Sequence, residues 1–476
     1  MRLTWTDIAT AQADAARDQM VELAGFPSAP DAVGRAGYFL LLAEAACCAG
    51  HVPRHPSAAV EVFATAPLPM RAGRLRLRGS WRVQADGVDH WRYQLHDAQA
   101  IDPPGWSGLT RPGWSGLTRR GALTAGPLLC LATAACAAEP AADAARTAAA
   151  RRVIRSANPV DIHSHAGGIA NTARLRSGIG FSPIRAPMRA GGMAVVCLAM
   201  VSDSPTHHVE GGRIRPYRDP APGELRDHAT MAFDRILDVV RREQLRIVAT
   251  AADCKAASAD APAAIIAAEG ADFLEGRIDR LEDAYRRWTL RHLQLTHYRV
   301  NELGDIQTEP PAHGGLTDFG AVVIQRCNQL GIVVDVAHGT IDLVRRAAAV
   351  TRKPLVLSHT SFAARPGPFS RQISAEHAKL IAATGGVIGV WPPASIYPNL
   401  AAVAAGIMRM VDAAGIDHVG IGTDLRGLVG GTVFPDYDTL PALTEALLQG
   451  GLTETETGKV LGGNYARVFA ANLASA

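Results

Sequence analysis

Six apolar runs in the later part of this chain carry, at or near their C-terminal ends, residues that bind metal ions or move protons. Asp161, His163 and His165 alternate along the first run, and Glu269, His297, His338, His359 and Asp424 close five others. Strand side chains repeat every second residue, so His163 and His165 share a face. Imidazole nitrogen and carboxylate oxygen are ligand atoms for zinc, and a catalytic zinc keeps one position open for water. A His-x-His pair, single histidines, a Glu and an Asp could hold two divalent cations about 3.5–4 Å apart, sharing a hydroxide and a bridging carboxylate. Any one of these residues alone reads as an ordinary strand end or turn. Their joint placement carries the chemistry.

The elements that must position them follow from the hydrophobic pattern. Eight strand candidates run over Val160–His165, Met193–Met200, Ala264–Glu269, His292–His297, Ile332–His338, Leu355–His359, Val387–Trp391 and His418–Asp424. Helical patterns lie between most of them, at Arg226–Gln244, Asp272–Arg291, Asp318–Leu330, Ile341–Thr351, Ser374–Ala383 and Leu400–Ala414. Near-continuous apolar strands alternating with amphipathic helices predict a parallel sheet covered by helices. Eight such units predict an α/β fold, a closed (β/α)8 TIM-like metallohydrolase barrel over residues 153–476. Active sites of such barrels sit at the strand C-termini, where the polar residues fall.

Longer stretches carry a resemblance. VDIHSHAGG (160–168), AAEG (267–270), LRHLQLTHYRVNELGD (290–305) and GLTDFGAVVIQRCNQLGIVVDVAHGT (315–340) are similar to the membrane dipeptidases, of the renal dipeptidase type, in the amidohydrolase superfamily. KPLVLSHTS (353–361), RQISAEHAKLIAATGGVIGV (371–390), HVGIGTDLRG (418–427) and GGNYARVF (462–469) continue it in the same order, so it covers about residues 153–470. The resemblance implies a zinc-dependent hydrolase that cleaves dipeptides with a metal-activated hydroxide. It implies that His163 and His165 bind one zinc, His338 and His359 a second, and Glu269 bridges the two. It further implies that His297 contacts the substrate and stabilises the tetrahedral intermediate, Arg371 holds the substrate carboxylate, and Asp424 handles the proton of the bridging water. These roles agree with the physics of metal-lowered water pKa, carboxylate proton transfer and a guanidinium fork on a carboxylate.

Two positions depart from that family. Its first-strand motif is usually His-x-Asp, where this chain has His163-Ser164-His165, and its GSDFDG is here GTDLRG, with Arg426 in place of an acid. Losing one carboxylate could change metal preference, and Arg426 could change what the pocket accepts. Two alternatives therefore stand beside the dipeptidase: an amidase or lactonase of the same superfamily acting on another small substrate, and a metal-binding barrel without catalysis.

The chain of 476 residues has a net charge of +3, with Lys+Arg 48 against Asp+Glu 45. That balance does not imply a nucleic-acid surface, and a small-molecule substrate is the expected partner. Seven cysteines do not make a disulfide scaffold. Cys197, Cys254 and Cys327 read as packing thiols, and His207-His208 as a solvated loop bordering the pocket. Self-association as a homodimer stays open.

Residues 1–110 carry no nameable chemistry. A helix over Ile8–Leu23 and strands over Ala59–Phe63, Arg74–Gln84 and His90–Ala98 predict a small α+β or partial β-barrel module. Its Arg74, Arg76, Arg78 and Arg82 read as the solvated side of a strand. Residues 111–152 join the two parts. PGWSGLTR occurs at 104–111 and again at 112–119, and Arg119-Arg120 precedes an apolar run ending near Ala135-Cys136-Ala137. A basic start, a short apolar run and small residues at its end resemble a twin-arginine export signal, here internal rather than leading. Used as such, it sends the barrel to the periplasm or medium through the twin-arginine machinery, with residues 1–110 an upstream reading frame. Otherwise the protein is cytoplasmic.

Overall fold

The computed structural model describes residues 1–28, 35–43, 59–69, 75–83, 93–101, 146–169, 182–210 and 213–473. The eight-residue repeat and the signal-like stretch lie outside these residues. The chain divides into two compact units.

The first unit is a closed five-stranded barrel. Strands β1 (Met20–Ser28), β2 (Arg35–Leu42), β3 (Ala59–Pro69), β4 (Leu75–Val83) and β5 (Tyr93–Ala100) follow the order β1-β2-β3-β5-β4, and β4 returns to β1. Along β4, Leu77, Trp81 and Val83 are buried while Arg76, Arg78 and Arg82 are exposed, the period-two pattern of a strand with one wet face. Arg76 pairs with Glu22 at 3.4 Å and Arg82 pairs with Asp18, so these arginines are occupied by local carboxylates. The expected helix over Ile8–Leu23 is not formed. A short helix, Trp5–Ala9, starts at Thr4 with a capping box to Asp7, and Ala11 (φ 59) and Asp18 (φ 63) break the helical path. From Met20 the chain alternates instead, burying Val21 and Leu23 as a strand.

The second unit is the (β/α)8 barrel. Its strands are β6 (Val160–Ser164), β7 (Val195–Val201), β11 (Ala263–Glu269), β12 (Leu290–Gln294), β13 (Val333–Asp335), β14 (Val356–Thr360), β15 (Val387–Val390) and β16 (Val419–Ile421). All pair in parallel, in the order β6-β7-β11-β12-β13-β14-β15-β16, and β16 closes on β6. A hairpin, β8 (His207–Glu210) with β9 (Arg213–Pro216), and a short outer strand, β10 (Arg246–Ile247), are insertions. Each expected strand is present, most with one to three residues trimmed where the chain turns out of the sheet.

Alternate strand residues serve two cores. Val160, Ile162, Val195, Cys197, Ala263, Ile265, Val333, Val356 and Val387 pack together with Tyr465 and Phe469 of the last helix, Asn464–Leu473. Val196, Leu198, Ile266, Ala268 and Val334 pack instead with the surrounding helices. The helix Glu224–Arg242 shows why it lies there. Leu225, Ala229, Ala232, Phe233, Ile236 and Val240 recur at three- and four-residue intervals and are buried. Phe233 stacks on Trp288 with ring centroids 4.9 Å apart, and truncating it to Ala would cost about 3–5 kcal/mol. Helices Asp318–Leu330 and Ile341–Val350 start at Thr317 and Thr340, whose side chains accept backbone N–H groups of the first turn. Among the described residues no helix is long and apolar enough to cross a membrane.

Candidate metal centre

The strand ends converge on one carboxylate. Glu269 is the last residue of β11, and five imidazoles aim Nε2 at it. Its Oε1 lies 3.4 Å from His163, 3.3 Å from His338 and 3.5 Å from His359, and its Oε2 lies 3.2 Å from His165 and 3.3 Å from His297. All six are buried. Asp424 joins from beyond β16, with Oδ1 3.4 Å from His165 Nε2 and 4.0 Å from His163 Nε2.

Local backbone conformation aims these groups. His338 (φ 68) and Asp424 (φ 50) occupy the left-handed region that non-glycine residues seldom adopt, a strain that persists only where the surroundings impose it. Gly427 makes room for Asp424. A Cβ at 427 would lie 2.0 Å from Asp424 Oδ1 and 2.5 Å from His165 Cδ2.

The donor set fits divalent ions. His165 Nδ1 donates to the Ala199 carbonyl at 2.8 Å, so its Nε2 lone pair faces the oxygens of Glu269 and Asp424. Lone pairs so placed repel unless a cation lies between them. Without that ion a proton serves. Burial alone would depress the His165 pKa, but Asp424 and Glu269 raise it to about 10. His338 Nε2 and His359 Nε2 are 3.0 Å apart, as close as two ligands of one ion. Burial, with Arg371 nearby, holds both imidazoles well below their usual pKa, hence neutral and ready to ligate. Burial opposes the charge of Glu269, yet His297 and His163 hold its carboxyl well below the usual range. Among the described residues three groups could hold an ion; two share Glu269, His163–His165–Glu269 and Glu269–His338–His359, and the third is Asp203–His207–His297 beside them.

The structure brings together every site residue expected from the sequence. Arg371, from the loop after β14, is buried with them. Its Nη1 donates to Gln307 Oε1 at 2.6 Å and its Nη2 to the His359 carbonyl at 3.3 Å, its guanidinium lies over Trp391 at 5.3 Å, and its Nε has no partner. Asp424 Oδ1 and Trp391 Nε1 are likewise buried without a hydrogen bond. Arg426 donates to Ser182 Oγ and Asp436 Oδ2 at 3.4 and 3.5 Å, and its side chain is 39% exposed.

Other members were not singled out from the sequence. Asp203, just past β7, is fully buried. Its Oδ1 accepts from His297 Nδ1 at 2.7 Å and lies 3.2 Å from His207 Nδ1, and its Oδ2 accepts the Tyr298 N–H at 3.0 Å. His207 is therefore buried against Asp203, not solvated as its Pro/Gly-flanked setting suggests. Tyr298, whose phenol burial pushes up to about 12, packs edge-on against His338 with centroids 4.9 Å apart. Asp305 accepts the N–H groups of Ala312 (2.7 Å), His313 (2.9 Å) and Gly315 (2.7 Å), which folds the loop carrying Gln307. A His-Tyr step ending LTHY was the available signal for Tyr298. Asp203 sits in Ser202-Asp203-Ser204-Pro205, which reads as a turn. Cys197, Cys254 and Cys327 are buried free thiols, raised by that burial, the second to about 11.

Comparison with known proteins bears on this geometry. Residues 188–476 match the profile described as membrane dipeptidase (peptidase family M19), a range that begins after His163 and His165. "Dipeptidase aclJ" of Aspergillus oryzae is 31% identical over 198 residues, covering 39% of this chain and 46% of that protein. "Dipeptidase 3" of Mus musculus is 28% identical over 269 residues, 52% of this chain and 53% of that protein. The chain thus spans about half the length of these curated relatives. An amidohydrolase from Pseudomonas aeruginosa superposes with a TM-score of 0.54 at 20% identity, over 68% of this chain and 99% of that one. A metallo peptidase from Rhodobacter sphaeroides, solved with a phosphinate mimic of the dipeptide L-Ala-D-Ala, gives 0.56 at 21%, over 66% and 99%. At these identities the two structures establish a shared fold.

Proposed function

The chain belongs to the membrane dipeptidase family, and from that premise we propose that it is a zinc-dependent dipeptidase working with two metal ions. The observation that carries the reading is the convergence of five imidazole Nε2 atoms on Glu269 within 3.2–3.5 Å, with a second carboxylate, Asp424, beside them. His163 and His165 would hold one ion, His338 and His359 the other, and Glu269 would bridge. Ions bound there supply Lewis acidity and water of lowered pKa at neutral pH.

The chain's own groups do the rest. Arg371 docks the free carboxylate of a small peptide, a task a guanidinium performs better than an ammonium. Its Nε is buried and unengaged. His297 donates Nε2–H to the scissile carbonyl oxygen as negative charge develops there, and Asp203 on its Nδ1 fixes the ring's orientation and stabilises its charged form. Asp424 takes the attacking water's proton on Oδ1 and returns it to the leaving amine nitrogen as the C–N bond breaks. Buried walls around the cluster exclude bulk water and strengthen these interactions.

Metal analysis of the full chain with a panel of L-X-D-Y and L-X-L-Y dipeptides tests the reading. Two zinc equivalents with dipeptide turnover are expected. Metal uptake with no peptide turnover would move the assignment to a hydrolase of another small amide or lactone, a reading that imidazole at 165 in place of the family's usual carboxylate favours. No metal after zinc reconstitution would end both. Arg119-Arg120 and the apolar run behind them support export by the twin-arginine route to the periplasm. N-terminal sequencing of the native protein should then begin beyond Ala138, and a mature chain starting at Met1 would refute export.

A further inference from the structure

The barrel is not laced equally all the way round. β7 and β11 share seven register pairs, but β13 and β14 share one, Asp335 opposite Val356, and β16 and β6 share one, Ile421 opposite Asp161, with an isolated bridge beyond it at Ser164 and Leu425. Those two thin seams present four of the five expected metal ligands and the neighbouring Asp424; the fifth ligand, Glu269, ends β11 on the well-laced side. His338 and His359 leave the strands of the first, and His163, His165 and Asp424 those of the second.

A fully buried aspartate stands in each seam and makes the same pair of bonds. Asp335 Oδ1 accepts the N–H of Ala337 at 2.9 Å and, across the seam, the N–H of Ser358 at 3.0 Å. Asp161 Oδ1 accepts the N–H of His163 at 3.3 Å and, across the seam, the N–H of Thr423 at 2.8 Å. In both cases the donor across the seam immediately precedes a site residue, His359 or Asp424. The second oxygens anchor the carboxylates. Asp335 Oδ2 meets His292 Nε2 at 3.1 Å, and Asp161 Oδ2 accepts from Thr423 Oγ1 at 2.6 Å and Tyr437 Oη at 2.9 Å. Main-chain bonds also cross the seams, Val336 N–H to the Val356 carbonyl at 2.8 Å in the first, and Asp424 N–H to the His163 carbonyl at 3.0 Å and His165 N–H to the Leu425 carbonyl at 2.9 Å in the second. The carboxylates add acceptors for the Ser358 and Thr423 N–H groups, which those carbonyls do not take.

We propose that Asp335 and Asp161 are positioning residues, each aligning one half of the metal centre: Asp335 the His338–His359 half, and Asp161 the His163–His165–Asp424 half. The inference rests on the two-ion reading above. Removing either carboxylate frees buried N–H groups in one seam and leaves the other seam bonded, so its effect on metal binding is confined to one ion.

The test is Zn2+ titration into chelator-stripped full-length protein, with anomalous scattering from crystals to locate each ion. Asp335→Ala should weaken one of two ions at least tenfold, with loss of signal between His338 and His359 and the other ion's affinity kept within threefold. Asp161→Ala should empty the His163–His165 position instead. Should either Ala variant fail to fold, the Asn variant, which keeps one acceptor oxygen, reads the same selectivity at smaller amplitude. Equal weakening of both ions alongside a lower melting temperature would show a merely structural role and overturn the proposal, as would unchanged affinity for both. A wild-type protein that takes up no second equivalent would overturn the two-ion reading and this inference with it. Full uptake by the wild type with unselective loss in the variants overturns this inference alone.

Discussion

Asp203→Asn isolates the support behind His297. In the native site one buried carboxylate takes Nδ1–H of His297 at 2.7 Å on one oxygen, which also faces His207 Nδ1, and the Tyr298 N–H on the other. An amide offers an acceptor on one side only, so either the imidazoles or Tyr298 must face an NH2 group. A hydrogen bond to a charged partner contributes about 1.5–3 kcal/mol and a neutral one about 0.5–1.5. The difference, about 1–1.5 kcal/mol, is felt when His297 carries charge against the reacting oxygen and corresponds to roughly a tenfold fall in kcat. KM should move much less, because the interaction strengthens in the transition state. Steady-state kinetics on a cleaved dipeptide, with metal content measured on the same samples, gives the answer. An unchanged kcat at full metal occupancy would refute the assignment of Asp203 as the orienting partner. A fall in kcat matched by loss of metal would place Asp203 in ion binding instead.

Three further outcomes are expected. Gly427→Ala puts a methyl group 2.0 Å from Asp424 Oδ1, so turnover should fall roughly 100-fold as the carboxylate is displaced, with an unchanged far-ultraviolet circular dichroism spectrum; native turnover would show that Asp424 does not need its observed place. Arg371→Lys should raise KM roughly tenfold or more for free dipeptides yet leave hydrolysis of a C-terminally amidated peptide unchanged, and an equal effect on both would remove Arg371 from carboxylate binding. Burial raises the Asp305 pKa, but N–H groups of Ala312, Gly315 and His313 outweigh it and hold the carboxyl below its usual value. Its contribution to stability is therefore full above the unfolded value of about 3.9 and is lost as pH falls through the folded one. Urea unfolding from pH 6 down to 3 should show this loss, diminished in Asp305→Ala, and an identical pH dependence in the variant would contradict it.

What could be read in the sequence was what the strands do with their ends. Runs such as Ala263–Glu269 are apolar to the last residue and then polar, and that switch marks both the strand and its functional tip. The barrel, and the meeting of the eight expected residues at one place in it, followed from it and from the resemblance together. The supporting carboxylates were hidden for a different reason. Asp161 was visible as part of an alternating set with His163 and His165, but its carboxylate turns to Thr423, 262 positions on, and nothing local announces such a bond. Asp203 sits among residues that favour turns for their own sake. The first unit failed locally at Ile8–Leu23, where a helical spacing of apolar residues ran into a strand whose period of two began at Met20. Its closure depends on β3 lying parallel to β5, a pairing across two intervening connections that no local pattern encodes.

The two thin seams have an evolutionary consequence. Where strands are joined by carbonyl and amide groups, the pairing is indifferent to side-chain identity, and sequence can drift as long as packing is kept. At the Asp335 and Asp161 seams part of the joint is a side chain. Single-base changes can therefore erase it, and the same two codons answer for how firmly the barrel closes and how its ion-binding residues are presented. Drift toward greater rigidity and drift toward a different metal cannot proceed independently there. A directed-evolution campaign on this scaffold would find its freedom along the β7–β11 ladder short of Glu269 and Asp203, where main-chain bonds hold the strands.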